Sequence, residues 1–369
     1  MEIDIVTKRG ITKLLNNWYQ SMLSQQVTTA TNLKKDIDEK IEQLKNVQKE
    51  IDQNVLLYYS LLEFRYKVLT DSLSITKESF DVINSYNTPS DKLQYYYYHL
   101  FKAIHATVTT NYKEASEYFE KAKRLLMDIP NALEKAEFYY RVAVFYYQFY
   151  RPIKSIEYAL KAKEIFAYHE GYEKNVAACQ SVLGASSVYL HQYEQAEDYY
   201  NSAIRILQKE NEESLLLRVR NNLGWLYGTQ NFSTLAIRQL YEVTTKMPKH
   251  FKAIFLQARE HYKLGENVIA NDLIERGLNI CVELGNKEYV HHYAILKGLN
   301  QGISIEELEK IILAGITYFD KELLYNYTQE YAEILAKKFY NENHYQKAAK
   351  YFLMSLQVKE KTYEGGGEK

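Results

Sequence analysis

Proline and glycine are scarce, 4 and 14 in 369 residues. That is too few for a sheet protein strung on turns or for a low-complexity chain, and it suits helices joined by short connections. Cysteine occurs twice, as Cys179 and Cys281, far apart and inside helical patterns. This argues against a disulfide framework or cysteine metal site and predicts two buried free thiols. Neither charge sign predominates, with 46 Lys and Arg against 47 Asp and Glu, so no global field recruits nucleic acid or an anionic membrane. No stretch approaches about 18 uninterrupted apolar residues. Met1-Glu2-Ile3-Asp4 has no basic segment leading into an apolar one, and a cytoplasmic location is expected.

Catalytic signatures are missing too. The nine histidines form no HExxH, and His291 and His292 are adjacent, so a helix points them in different directions. There is no glycine-rich phosphate loop, no G-x-S-x-G and no dinucleotide fingerprint. No metal site and no cofactor of the chain's own are expected.

What is present is helical periodicity. Ile11, Leu14, Leu15, Trp18 and Met22 recur at three- and four-residue steps, the mark of one buried helix face. Ser24-Gln25-Gln26 and the β-branched Val27-Thr28-Thr29 suggest a turn. A second stripe follows through Leu33, Ile37, Ile41, Leu44, Val47 and Ile51, and a third through Val55, Tyr59, Leu62, Tyr66 and Leu69. The polar Asp52-Gln53-Asn54 is the natural break between these two. Three such helices bury their stripes against one another, so residues 1–72 read as a three-helix bundle, followed by a helical linker over 73–95.

From residue 96 to 363 the sequence repeats. A small residue on one helix is followed twelve positions later by a small residue opening a second signature, as in tetratricopeptide hairpins, where small residues let paired helices approach closely. The first-helix positions are Ala103, Ala143, Gly184, Gly224, Ala258 and Ala336. Their partners begin Ala115, Ser155, Ala196, Ala236, Ala270 and Ala348. A gap over 288–321 leaves room for one degenerate copy. The expected fold is all-α: an N-terminal three-helix bundle followed by a superhelical array of about seven tetratricopeptide-like repeats, ending in a disordered tail, 364–369.

Such arrays hold peptides along their first helices. In this register Tyr147, Gln148, Tyr189, Arg218, Asn221, Asn222, Trp225, Lys252, Phe255, Arg259 and Tyr262 are the candidate peptide-binding residues. The amides of Asn221 and Asn222 offer the donor and acceptor that clamp a peptide backbone, and Trp225 and the tyrosines offer rigid apolar contacts. Solvated asparagines and packing tyrosines are the plainer reading of the same residues.

Three segments resemble the Rap proteins of bacilli: Asn16-Asn17-Trp18-Tyr19, the run Asp52-Gln53-Asn54-Val55-Leu56-Leu57-Tyr58-Tyr59-Ser60-Leu61-Leu62-Glu63-Phe64-Arg65, and Glu134-Lys135-Ala136-Glu137-Phe138. The resemblance implies a regulator that binds a response-regulator receiver domain, with the bundle as docking surface (Asp52, Asn54 and Tyr58) and a short secreted Phr-like peptide as inhibitor. In phosphatase members a glutamine enters the regulator's active site, and the matching residue is Gln53. Its amide would orient water against the aspartyl phosphate, with Mg²⁺ supplied by the regulator.

Asn222 matches the asparagine that holds the peptide backbone. The chain departs from the family pattern at Ile51, where phosphatases usually carry glutamate, at Tyr66, where a histidine is usual, and at Tyr189, which replaces an acidic residue that pairs with a basic peptide side chain. The Ile51 departure favours the alternative of a non-catalytic protein that sequesters a response regulator or transcription factor. Peptide-responsive transcription factors with similar arrays would need a helix-turn-helix reader at the front, and helices as long as those in residues 1–75 do not fit one.

Overall fold

The computed structural model describes residues 2–47, 52–87, 89 and 91–364, which are helices and short connections without a strand among the described residues. The chain divides into two compact units, Met1–Leu216 and Leu217–Lys369.

The first unit opens with α1 (Glu2–Leu23), α2 (Val27–Val47) and α3 (Gln53–Thr70). Trp18, Leu15, Ile37, Leu61 and Leu62 are buried at its centre, as the three stripes require. Val27-Thr28-Thr29, expected in a turn, instead forms the first turn of α2. The connection is confined to Ser24-Gln25-Gln26, where Gln25 takes a left-handed φ of 55° and the Ser24 hydroxyl donates to the Gln20 carbonyl at 3.0 Å. Helix start is governed by the backbone: the Ala30 N–H already donates to the Gln26 carbonyl at 2.9 Å, and β-branched side chains are tolerated in a first turn. Ile51, the last residue of the expected stripe of α2, lies outside the described residues.

Asp52 breaks the pattern as foreseen. Its carboxylate accepts from the Asn54 N–H at 2.8 Å and caps α3, leaving Gln53 as the first helical residue. Past α3 the chain makes two 3₁₀ turns, Ser72–Ser74 and Lys77–Phe80, and a single helical turn, α4 (Asp81–Asn84).

Three hairpins complete this unit: α5 (Lys92–Val108) with α6 (Tyr112–Leu126), α7 (Ala132–Gln148) with α8 (Pro152–Ala167), and α9 (Glu173–Tyr189) with α10 (Tyr193–Lys209). Helix α11 (Glu213–Thr229) contains the boundary between the units. It pairs with α12 (Ser233–Lys246), and the second unit continues with α13 (Phe251–Lys263) and α14 (Asn267–Glu283), α15 (Lys287–Gln301) and α16 (Ile305–Lys321), and α17 (Tyr325–Asn341) and α18 (Tyr345–Glu364). Glu364, expected in the tail, closes α18, and residues 365–369 lie outside the described ones.

All the hairpins turn in one way. A backbone N–H reaches back five residues: Asn111 to Ala106, Arg151 to Tyr146, Gln192 to Ser187, Phe232 to Tyr227, Glu266 to His261, Ile303 to Gly298 and His344 to Phe339. In each the residue before that N–H is left-handed: Thr110, Tyr150, His191, Asn231, Gly265, Gly302 and Asn343. This is the helix-ending bond that satisfies an otherwise orphaned carbonyl.

Every predicted first-helix small residue is buried, as are all its partners. The close approach is real: a Cβ on Gly184 would meet the Tyr200 ring at 2.8 Å, and one on Gly224 would meet Leu240 at 2.6 Å. The degenerate copy is α15/α16, in which Leu296 and Leu308, both buried, stand at the positions held elsewhere by small residues. Gly277 on α14 makes room for the Tyr293 ring, whose hydroxyl donates to the Phe251 carbonyl at 2.7 Å. Both cysteines are buried free thiols.

Candidate functional site

Within the first unit, α1 and α3 of the bundle lie against the first helices of the hairpins, and the seam between them is polar. Glu134, in the first turn of α7, accepts from Tyr19 of α1 at 2.8 Å and from Tyr97 of α5 at 2.9 Å. One turn on, Glu137 accepts from Arg65 of α3 at 3.0 Å and from Arg141 at 2.8 Å. Asn175 of α9 donates to the Leu23 carbonyl, the last of α1, at 2.8 Å. Arg65 is only 1% exposed. A buried charge of this kind persists only when paired.

The two carboxylates are tuned in opposite directions. Burial pushes Glu134 up from 4.5 to about 7, against the lowering pull of its two tyrosine hydrogen bonds. Burial also acts to raise Glu137, but the guanidiniums of Arg141 and Arg65 outweigh it and hold the carboxyl below its usual range. Glu134 therefore keeps a proton in the folded chain that it gives up when unfolded. Its contribution to stability is full below about pH 4.5 and lost as pH rises through about 7, and is on the order of 3 kcal/mol. Denaturant midpoints measured from pH 5 to 8 should fall with rising pH in the native chain, and should fall less in Glu134→Gln. Parallel slopes would refute the assignment.

Gln53 and Asn54 stand exposed at the free end of α3, with Asp52 half-buried beside them. Tyr58, expected on the docking face, does not share that exposure. It is 5% exposed, donates to Asn16 Oδ1 at 3.0 Å and stacks on Tyr97, because the hairpins cover one side of α3. The first turn of α3 does offer polar groups outward, as does Glu63 two turns further on. Tyr66 is half-buried, with its ring 5.8 Å from Trp18 and its hydroxyl 2.9 Å from the Thr31 hydroxyl.

The candidate peptide residues fall into two groups. In the first unit, Tyr147 and Gln148 end α7 and Tyr189 ends α9, all half-buried. The Tyr189 ring lies 5.4 Å from that of Tyr147 and 5.1 Å from that of Tyr150, and burial raises the Tyr147 and Tyr189 hydroxyls above their usual range. This is an uncharged aromatic cluster.

In the second unit, Arg218, Asn221, Asn222 and Trp225 follow one face of α11, and Lys252, Phe255, Arg259 and Tyr262 the corresponding face of α13. Asn221 Nδ2 donates to Asn222 Oδ1 at 3.4 Å, and the buried Asn221 Oδ1 has no hydrogen-bond partner. Arg259 pairs with Glu260 at 3.2 Å, and the Lys252 ammonium lies 5.5 Å from the Tyr289 ring centre. Phe255 departs from expectation. Only 9% exposed and enclosed by Tyr289, His292 and Tyr293, it shows little of its ring at that face.

Two features escaped the sequence reading. One is the seam itself, although Glu134, Glu137 and Arg65 sit within the segments that carry the resemblance; charges on apolar stripes were the available signal. The other is Glu260, fully buried and held by Arg259, by Lys263 at 3.0 Å and by the Ser233 hydroxyl at 2.8 Å. Among the described residues no cluster of His, Cys, Asp and Glu is arranged to hold a metal, and no helix is long and apolar enough to cross a membrane.

A family profile described as response regulator aspartate phosphatase H, N terminal, matches residues 5–71, the span of the bundle. The regulatory protein RapF of Bacillus subtilis (strain 168) is 26% identical over 96% of both chains, and response regulator aspartate phosphatase I of the same organism is 25% identical over 96% of this chain and 92% of its own. A solved Rap protein complexed with competence and sporulation factor has the same fold, with a TM-score of 0.81 at 22% identity over 96% of this chain and 99% of that one. Bundle, hairpins and relatives agree: the chain is similar to the Rap proteins over nearly its whole length, and residues 5–71 match the family's N-terminal profile.

Proposed function

We propose that this chain binds the receiver domain of a response regulator through its bundle, promotes hydrolysis of the regulator's aspartyl phosphate with Gln53, and is inhibited by a short secreted peptide bound along α11 and α13. The observation that carries the reading is the exposed amide of Gln53 on the first turn of α3, held in register by the Asp52 cap. A rigid helix end can present an amide to a water beside a phosphoryl group without contributing a nucleophile, and the regulator's own Mg²⁺ and aspartate supply the rest. Asn222, with Asn221 beside it, holds the peptide backbone in this reading.

The burial of Tyr58 supports a further part of this reading. With α3 covered by the hairpins the docking surface is incomplete. A peptide that favours this packing therefore opposes the regulator by the difference in its affinity for the two states. A second reading, sequestration without hydrolysis, is favoured by Ile51 in place of the usual glutamate. Titrating the full chain with the phosphorylated receiver domain of the sporulation phosphorelay regulator tests the shared core of both. A saturable complex is expected, and absence of binding to that domain and to the receiver domains of other response regulators would contradict both.

A further inference from the structure

Where the last turns of α11 and α13 meet, a completely buried carboxylate is held by two cations. One oxygen of Glu260 accepts from the Arg259 Nε at 3.2 Å and from the Lys263 ammonium at 3.0 Å, and the other accepts from the Ser233 hydroxyl at 2.8 Å. Gly228 makes the approach possible, since a Cβ there would stand 2.7 Å from a Glu260 oxygen and 3.4 Å from an Arg259 Nη. The two cations are not alike. The Lys263 ammonium also donates to the Gly228 carbonyl at 2.8 Å and lies 3.5 Å from Asn231 Oδ1, so it closes the end of α11 as well as neutralising Glu260. Arg259 is tied back by its Nε alone. Among the described residues neither of its Nη groups has a hydrogen-bond partner, and its side chain is 23% exposed.

One cation balances Glu260, so one positive charge is left over. Among the described residues no other carboxylate forms an ion pair with Arg259 or Lys263, and Glu330 of α17 acts on Lys263 only at longer range. Burial, and then the charge of Arg259 beside it, hold the Lys263 ammonium below its usual range, as expected where two cations crowd one acceptor. What the corner lacks is an anion. The open edge of the guanidinium is the fork that takes a carboxylate through two parallel hydrogen bonds. Arg259 also lies on the face of α13 that corresponds to the Asn222 face of α11. Gly228, beside its Nη, is six residues past Asn222, a distance of about 9 Å along the helix. An extended peptide covers this in about three residues.

We propose that Arg259 is the subsite for a carboxylate of the bound peptide, about three residues from the one whose backbone Asn222 holds. The assignment rests on the peptide reading above and names the chemistry that the site selects, either the peptide's own terminus or an Asp or Glu side chain. The test offers the full chain three pools of synthetic peptides of about five residues, the extended length that spans Arg218 to Gly228, and identifies the retained peptides by mass spectrometry. The first pool has free C-termini and no Asp or Glu, the second amidated C-termini and one Asp or Glu, and the third amidated C-termini and neither. Retention from the first pool assigns the carboxylate to the terminus, and retention from the second assigns it to a side chain. The third pool should be enriched at least about tenfold less, and retained peptides should bind Arg259→Gln at least about tenfold more weakly, the scale of one charge-assisted pair. Glu260 keeps Lys263 and Ser233 in that variant, so its helical signal and melting should match the native chain, and the comparison of pools needs no variant at all. Equal enrichment from the third pool, or affinities unchanged in Arg259→Gln, would overturn the proposal while leaving a peptide site in place. Retention from no pool would contradict the peptide site itself, and this subsite with it.

Discussion

Replacing Glu137 by alanine is expected to lower the stability of the first unit by about 3–5 kcal/mol, the cost of stranding a buried charge. The substitution leaves two guanidiniums, Arg65 from the bundle and Arg141 from α7, facing each other without a counter-charge. Arg65 has little else, since its remaining acceptor is the Met22 carbonyl at 3.4 Å and its Nη1 has no partner. The loss is therefore local. Hydrogen exchange should quicken in α1 and α3, which Arg65 ties to α7, and stay unchanged in α13–α18.

The control is Glu157, whose bond to Lys161 at 2.6 Å is shorter than either Glu137 contact but fully on the surface. Its removal should cost no more than about 0.5 kcal/mol. Burial, not length, decides the magnitude, and equal effects from the two substitutions would show that the seam carries no special weight.

How much of this was legible in the sequence follows from which level each feature depends on. The bundle could be read because three apolar stripes recur at helical spacing, and six of the hairpins because small residues at the helix crossings are a steric requirement of close packing. The seventh showed only as a gap of the right length, because Leu296 and Leu308, both buried, stand where small residues stand elsewhere. The hairpin turns gave an uneven signal: Asn231, Gly265, Gly302 and Asn343 are of the types that favour a left-handed backbone, whereas Thr110, Tyr150 and His191 are not and take it because the helix-ending bond imposes it. Tyr58 and Phe255 were placed correctly on their helices but not in their environments, because which side of a helix is covered depends on neighbours far along the chain. The seam was missed for the same reason: Tyr19 and Glu134 are 115 residues apart.

The second large effect concerns Gln53. Its amide has no structural duty: it is exposed, it follows the cap instead of providing it, and Asp52 holds the helix start without it. Gln53→Ala should leave stability within about 0.5 kcal/mol of the native chain and leave receiver binding intact. Hydrolysis should lose on the order of a hundredfold in rate, the scale set by mispositioning a reacting water. A residue that matters only for docking would instead weaken binding and hydrolysis together.

The most direct measurement is the loss of labelled phosphate from the phosphorylated sporulation phosphorelay regulator in the presence of the native chain and of Gln53→Ala. The account predicts accelerated loss that returns to the regulator's own rate in the variant. No acceleration by the native chain, despite a demonstrable complex, would contradict hydrolysis through Gln53 and leave sequestration in its place.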